Sequence, residues 1–398
     1  MNRLKACGCR AVQAAFRLAM PFLPYRKPKQ VSNVTELPAL LSAQGCTSAL
    51  VVTSPSVAKM AGTLQLMEAL DAADIACFVY GETVPNPTTD TVEEALAVYH
   101  RGNCQAIIGV GGGSSLDCAK AVGVRAVFPN RPLSKSKGVL KVRRPLPLLA
   151  AVPTTAGTGS ETTIAAVVTD AKTRDKYAIS DFSLIPNYAV LDPALTVTLP
   201  PHLTASTGMD ALTHAVEAFI GRSVTPDTRE DALTAVKLIF SNLERVCRDG
   251  SDLEARRSML AASFRAGCAF TKSYVGYVHA VAHSLGGAYD VAHGYANAVV
   301  LPVVLRAYGP SIYPQLAQLA QAAGLAGPGM DRQAAALSFL SGLEKLKSQC
   351  GIGSSIPELC REDIPFLARR ASREANPLYP VPVLMDAEEL ENIYEQLL

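Results

Sequence analysis

Apolar positions along the chain change their period once, near residue 200. From residue 30 to about 195, short apolar and β-branched runs alternate with stretches of helical spacing. SALVVTS (48–54), IACFVYG (75–81), QAIIGV (105–110) and PLLAAVP (147–153) read as strands. Val57–Ala73, a segment near 91–102 and a run from Leu116 read as helices, with the loop VPNPT (84–88) ahead of the second. Strands alternating with helices predict a Rossmann-like, doubly wound parallel sheet. After Pro200-Pro201, long helical patterns dominate to residue 398, broken by Gly/Pro segments near 308–310, 326–329 and 351–357. The pattern predicts three parts: a segment 1–29, an α/β domain over 30–197, and an all-helical domain over 198–398.

The first part is basic and apolar at helical spacing. Ala6, Val12, Phe16, Leu18 and Met20 can share one face, with Arg3, Lys5, Arg10 and Arg17 elsewhere, and Pro21 and Pro24 end the helix. Arg10 and Arg17 interrupt the apolar stretch, so it makes a poor secretory signal. Two readings stand: a helix packed on the protein's own surface or on a second subunit, or a targeting helix for a membrane surface or the lumen of a bacterial protein shell.

Composition narrows the class. Across 398 residues, 37 Lys+Arg face 35 Asp+Glu, and 49% of residues are hydrophobic. That is too apolar and too balanced for a disordered chain, and a net charge of +2 leaves no basic footprint for nucleic acid. No apolar run approaches the roughly 20 residues of a membrane span. The ten cysteines are scattered with no Cys-x-x-Cys pair, which predicts buried thiols in a reducing, cytoplasmic setting.

Two constellations carry chemistry. Gly111-Gly112-Gly113-Ser114-Ser115 follows the strand 105–110 and opens a helix. Glycines let backbone N–H groups approach an anion, and the helix presents its positive N-terminus. The spacing departs from Gly-x-Gly-x-x-Gly, and no acidic residue stands at a strand end about 20 residues on. A bound dinucleotide would therefore meet its adenosine end at Thr53-Ser54-Pro55-Ser56, after the first strand. A second small-residue loop, Pro153–Glu161, follows another buried strand and includes Thr154, Thr155 and Ser160.

The second constellation lies in the helical half. Asp210-Ala-Leu-Thr-His214 and His279-Ala-Val-Ala-His283 each place two polar side chains one helical turn apart in apolar surroundings, and His293 follows in a turn. The chain has only six histidines, so four of them fall here. Burying such groups unsatisfied costs roughly 1–3 kcal/mol each, and a shared divalent cation satisfies several at once. Imidazoles and a carboxylate without thiolate fit Fe(II), Zn(II) or another divalent transition metal, with one histidine left over.

GVGGGSSLDCAKAV (109–122), PTTAGTGSE (153–161), STGMDALTHAVEAF (206–219) and HAVAHSLGGAYDVAHGYANAVVLP (279–302) together resemble the iron-containing (group III) alcohol dehydrogenase family. The resemblance runs from about residue 30 to the C-terminus and implies a dehydroquinate synthase-like, two-domain architecture. It implies that Asp210, His214, His279 and His293 hold the metal, usually Fe(2+), and that His283 relays a proton. It places Gly111, Gly112, Gly113 and Ser114 on the pyrophosphate loop, with Asp117 of the same motif counted among the cofactor residues. Thr154, Thr155 and Ser160 fall in the second cofactor loop, Lys176 near the ribose, and Asn86 at a cofactor-facing position. The implied chemistry is metal-assisted hydride transfer between NAD or NADP and a small primary alcohol or aldehyde, in a cleft between the domains. Homodimers through sheet edges are common among similar enzymes.

Departures bear on specificity. Many similar enzymes have aspartate where Ser54 stands; that carboxylate repels a 2′-phosphate, so serine admits NADP as well as NAD. Ala165, Phe270 and Tyr274 are the candidate substrate-pocket residues, and relatives are smaller and glycine-rich near Tyr274. The competing classes are a dehydroquinate synthase-like lyase, disfavoured by the apolar metal-flanking segments, and a non-catalytic shell-associated homologue.

Overall fold

The structure, a computed structural model, describes Met1 and residues 3–398, with Pro21 by its backbone alone. It forms two compact units, Met1–Leu23 with Leu199–Leu398, and Pro24–Thr198.

Helix α1 (Arg3–Ala19) belongs to the first unit, and its face differs from the one the apolar pattern predicts. Of the predicted face, Met20 is buried and Ala6 and Phe16 are half-buried, whereas Val12 and Leu18 are 42% and 73% exposed and Cys9 and Gln13 are buried instead. The reason is polar. Arg10 donates to the carbonyls of Val381 (2.7 Å) and Pro382 (2.8 Å), and Gln13 Nε2 donates to Tyr379 O at 2.7 Å. Pairing with three backbone carbonyls decides the helix's rotation, and hydrophobicity follows.

In the second unit, strands β1 (Lys29–Val31), β2 (Ser48–Val52), β3 (Ala76–Tyr80), β4 (Ala106–Gly111), β6 (Leu148–Pro153) and β9 (Tyr188–Val190) form one sheet. Its order is β1-β9-β6-β4-β2-β3, parallel throughout. A smaller sheet holds β5 (Gly138–Val139), β7 (Ala165–Thr169) and β8 (Lys176–Ser180), with β7 and β8 antiparallel. Helices α2 (Leu37–Ser42), α3 (Ala61–Asp71), α4 (Thr89–Arg101) and α5 (Gly113–Val127) alternate with the main strands. Alternate residues of β2 and β4 enter two different cores: Leu50, Val52 and Ile107 one, Ala49, Val51, Ile108 and Val110 the other. A strand buried on both faces reads as a continuous apolar run, which is why β2, β4 and β6 stand out in the sequence. The three-residue β1 and β9 are too short for that signal, and β8 alternates exposed with buried residues.

From Pro201 onward no strand occurs among the described residues. The helices are α6 (Pro201–Ile220), α7 (Pro226–Arg248), α8 (Leu253–Ser273), α9 (Tyr277–Tyr289), α10 (His293–Tyr308), α11 (Tyr313–Ala322), α12 (Arg332–Gln349), α13 (Ile364–Ala375) and α14 (Ala387–Glu395). Every residue from Gly208 to Ile220 is buried, so α6 is the central rod, packed by α7, α8 and α10. A helix buried all round must satisfy its polar side chains internally.

Candidate metal centre and nucleotide loops

On α6, Asp210, His214 and Glu217 recur at one stripe of the helix and are all buried. His279 comes from α9 and His293 opens α10. One donor atom from each of Asp210, His214, His279 and His293 lies within 4.8 Å of the others. His293 Nε2 is 3.4 Å and His279 Nε2 is 4.0 Å from Asp210 Oδ1, and the His214 and His279 rings stack at 4.5 Å. Phe270 covers the far face of His214, its ring 4.1 Å away and 14° from parallel.

The chemistry of His279 tests whether this set fits a metal. Its Nδ1 lies 2.6 Å from Glu217 Oε2, while its Nε2 is buried and makes no hydrogen bond. Burial, then the neighbouring imidazoles of His214, His293 and His283, hold its pKa well below the ordinary value. A neutral ring whose Nδ1–H faces a carboxylate directs an Nε2 lone pair at Asp210, the arrangement that carboxylates impose on metal-binding histidines. Glu217 is itself fixed: Oε1 accepts the Val278 N–H at 2.8 Å, and burial pushes its carboxyl up to about 7 against those backbone bonds. Asn297 closes the other side, with Nδ2 donating to Asp210 Oδ1 at 2.7 Å and lying 3.1 Å from His293 Nε2. The residues present fit a divalent cation.

His283 stands beside this group rather than in it. Its ring stacks 5.3 Å from His293, and its Nδ1 lies 2.6 Å from Glu374 Oε1, which also accepts the Tyr379 hydroxyl at 2.7 Å. Burial would raise the Glu374 carboxyl, yet its bonds to His283 and Tyr379 hold it below the usual range. Glu217, Glu374 and Asn297 were missed in the sequence. Glu217 left a signal, a lone acid seven residues after Asp210 in an otherwise apolar helix; Glu374, far along the chain in polar α13, left none.

The nucleotide loops lie in the other unit. The chain runs from β2 to β3 on one side and then returns to β4 on the other side of β2, so the strand order reverses between β2 and β4. In open parallel sheets, ligands bind outside the carboxyl ends at such a reversal. The loops there are Thr53–Ser56 and Gly111–Ser115. Ser54 is half-buried in the first, its Oγ 3.4 Å from Ser56 Oγ. In the second, Gly111 has φ 144°, closed to side-chain-bearing residues, and α5 starts at Gly113, three residues before the predicted Leu116. The Gly112 cap has no side chain to satisfy the first-turn N–H groups; Ser115 N–H donates to Gly112 O at 3.1 Å, while those of Gly113 and Ser114 face the open loop where an anion could sit.

Thr154 N–H donates to Gly111 O at 3.0 Å, joining the second loop to the first, and Thr155 lies beside Gly112. Asp117 ties α5 to the same loop, accepting from Ser160 Oγ (2.8 Å) and Val167 N–H (3.0 Å). Lys176 Nζ donates to Asn86 Oδ1 at 2.6 Å, so these two expected cofactor residues meet. Ala165 begins β7, where its carbonyl accepts Lys120 Nζ at 2.9 Å. The structure adds buried Lys120, which also donates to Ser160 O (2.6 Å) and Thr163 Oγ1 (2.7 Å), and buried Glu161, whose Oε1 makes no hydrogen bond.

A parallel sheet with an open glycine cradle, and a helical unit that gathers one aspartate and three histidines, define the class of metal-dependent, nucleotide-using α/β enzymes. Residues 30–193 match the iron-containing alcohol dehydrogenase family, and residues 204–398 match the Fe-containing alcohol dehydrogenase family, C-terminal. The chain belongs to the iron-containing alcohol dehydrogenase family. It is 36% identical over 386 residues to 1,3-propanediol dehydrogenase of Klebsiella pneumoniae, covering 96% of this chain and 98% of that protein. It is 36% identical over 340 residues to the NAD-dependent methanol dehydrogenase of Bacillus methanolicus, covering 85% and 89%. A solved 1,3-propanediol oxidoreductase superposes with a TM-score of 0.90 at 35% identity, over 94% of this chain and 99% of that one.

Two outcomes follow from this geometry. A Cβ on Gly294 would lie 2.4 Å from Ser206 O, so Gly294→Ala must push the start of α10 off α6 and carry His293 away from Asp210. Affinity for Zn(II), measured by competition with a chromogenic chelator, should fall about 10–100-fold; unchanged affinity contradicts the assembly. Burial pushes the Glu161 carboxyl up to about 7 from 4.5. Its folded form therefore holds a proton that the unfolded form releases, a cost absent below pH 4.5 and complete above pH 7. In urea unfolding, Glu161→Gln should stabilise the protein by about 2–3 kcal/mol at pH 8 and hardly at all at pH 4.5; a pH-independent difference contradicts this.

Proposed function

We propose that Asp210, His214, His279 and His293 hold one divalent ion, Fe(2+) with Zn(2+) as the substitute, and that the enzyme transfers a hydride between NAD(P) and a small primary alcohol or aldehyde. The observation that carries the reading is the buried, bond-free His279 Nε2, oriented by Glu217 toward Asp210. A bound ion supplies Lewis-acid polarisation of the alcohol or aldehyde oxygen, and the nicotinamide supplies or accepts the hydride.

The chain's own residues do the rest. Gly111, Gly112, Gly113 and Ser114 receive the pyrophosphate on the uncapped start of α5, and Asp117 and Lys120 hold Ser160 and the 153–163 loop in place. Asn86, Lys176, Thr154 and Thr155 supply polar contacts to the nucleotide, and Ser54 admits NADP beside NAD because it carries no charge against a 2′-phosphate. His283 moves the proton: with Nδ1–H on Glu374, its Nε2 is the nitrogen that accepts or gives it. Phe270, fixed against His214, and Tyr274 form the apolar side of the substrate site.

Ten free thiols support a cytoplasmic enzyme, and no described helix is long and apolar enough to cross a membrane. Edge strands β1 and β3 support a homodimer or higher homo-oligomer. Docking of α1 on this chain's own carbonyls supports an intramolecular role for residues 1–29 over a shell address.

The test is anaerobic oxidation of NADH and NADPH by a panel of short aldehydes with Fe(II) or Zn(II) added. Turnover is expected with both metals, and none with either across the panel refutes the reading. His283→Ala should lower kcat by about 10²–10⁴-fold with metal still bound; loss of the metal instead would make His283 a ligand.

A further inference from the structure

We propose that the N-terminal helix sets the length limit of the substrate site: Phe16 of α1 clamps the Tyr274 ring as the site's apolar wall, which selects short aldehydes and alcohols. The inference rests on the dehydrogenase reading above and assigns its selectivity to a segment outside the family match, which begins at residue 30.

Tyr274 caps α8 with φ 67° and ψ −178°. That region is open almost solely to glycine, and a bulky residue persists there only where its surroundings fix it. Three contacts do so. The Tyr274 N–H donates to Phe270 O at 2.7 Å. Phe16 meets the Tyr274 ring edge-on, centroids 5.8 Å apart and planes at 87°, and Tyr379 meets it at 5.3 Å. Edge-to-face geometry at this separation is the favoured aromatic contact.

One helix governs both aromatic partners. Arg10, Gln13 and Phe16 follow one another along the inner side of α1; Phe16 touches Tyr274 directly, while Gln13 and Arg10 bind the carbonyls of Tyr379, Val381 and Pro382. This pairing explains the rotation of α1 that leaves Val12 and Leu18 outside.

The clamped ring belongs to the reaction side of the helical unit. Phe270, one turn before Tyr274, stacks on His214. Tyr379, also packed against the Tyr274 ring, shares Glu374 Oε1 with His283. A tyrosine held there against both neighbours removes space that a glycine would leave open. Phe16 is thus a positioning residue acting through Tyr274, and Tyr274 is the wall.

The experiment compares the metal-loaded protein with Phe16→Ala, Phe16→Leu and Tyr274→Gly, and with Leu18→Ser on the exposed face of α1 as control. It measures kcat/KM for straight-chain aldehydes from acetaldehyde to octanal, together with amide hydrogen exchange over residues 270–277. The unaltered protein and Leu18→Ser should lose efficiency as the chain lengthens. Phe16→Ala and Tyr274→Gly should raise the octanal-to-acetaldehyde ratio by roughly tenfold or more, with Phe16→Leu between. Exchange over 270–277 should be faster in Phe16→Ala and Phe16→Leu. An unchanged ratio, or an equal loss at every chain length, overturns the proposal, because a purely structural helix would produce one of these. If Phe16→Ala does not fold, Phe16→Leu and Tyr274→Gly decide. If the unaltered protein reduces no aldehyde, the dehydrogenase reading fails; unchanged exchange would then overturn the clamp independently.

Discussion

The contact between Glu217 and His279 is the constraint around which the helical unit is arranged. A carboxylate and an imidazole, both buried, face each other across α6 and α9 at 2.6 Å. Neither belongs in an apolar interior by itself, since an unsatisfied polar group there costs about 1–3 kcal/mol. Together they satisfy one nitrogen of the ring and leave the other bare. That bare nitrogen points toward Asp210, and α6, α9 and α10 must meet closely enough for His214 and His293 to join it. The tight approach of α10 to α6 and the start of α9 over Glu217 are consequences of that requirement.

The nucleotide loops answer a different problem. A six-stranded parallel sheet has one place where neighbouring loops diverge, and the two loops there are built from small residues. Backbone groups rather than side chains face outward at Gly111–Gly113. Two charged groups of that region, Asp117 and Lys120, are turned to the task of holding the second loop. Lys120 alone reaches Ser160, Thr163 and the start of β7 at Ala165, and burial pulls its pKa down to about 8. The charges shape the cradle.

Much of this was legible in the sequence because it is written in local pattern. Strands buried on both faces are continuous apolar runs, and paired polar residues one turn apart announce themselves in apolar helices. What was not legible depends on partners distant in the chain. Val12 and Leu18 were misplaced on the inner face of α1 because Gln13 and Arg10 bind carbonyls more than 360 residues away. Glu374 reaches His283 from a helix that looks ordinary, and the positive φ of Tyr274 has no sequence signature in a residue that rarely adopts it. Glu217 was readable in principle, as the third polar position on the Asp210–His214 stripe.

The most direct test of the account is the metal stoichiometry and affinity of Glu217→Ala, measured by calorimetric titration with Zn(II) beside the unaltered protein. The unaltered protein should bind one ion per chain, and Glu217→Ala should bind it about 10–100-fold more weakly, because His279 then loses the carboxylate that orients it. Equal affinity in the two proteins, or no stoichiometric binding in the unaltered one, would contradict the claim that this buried pair organises a metal centre.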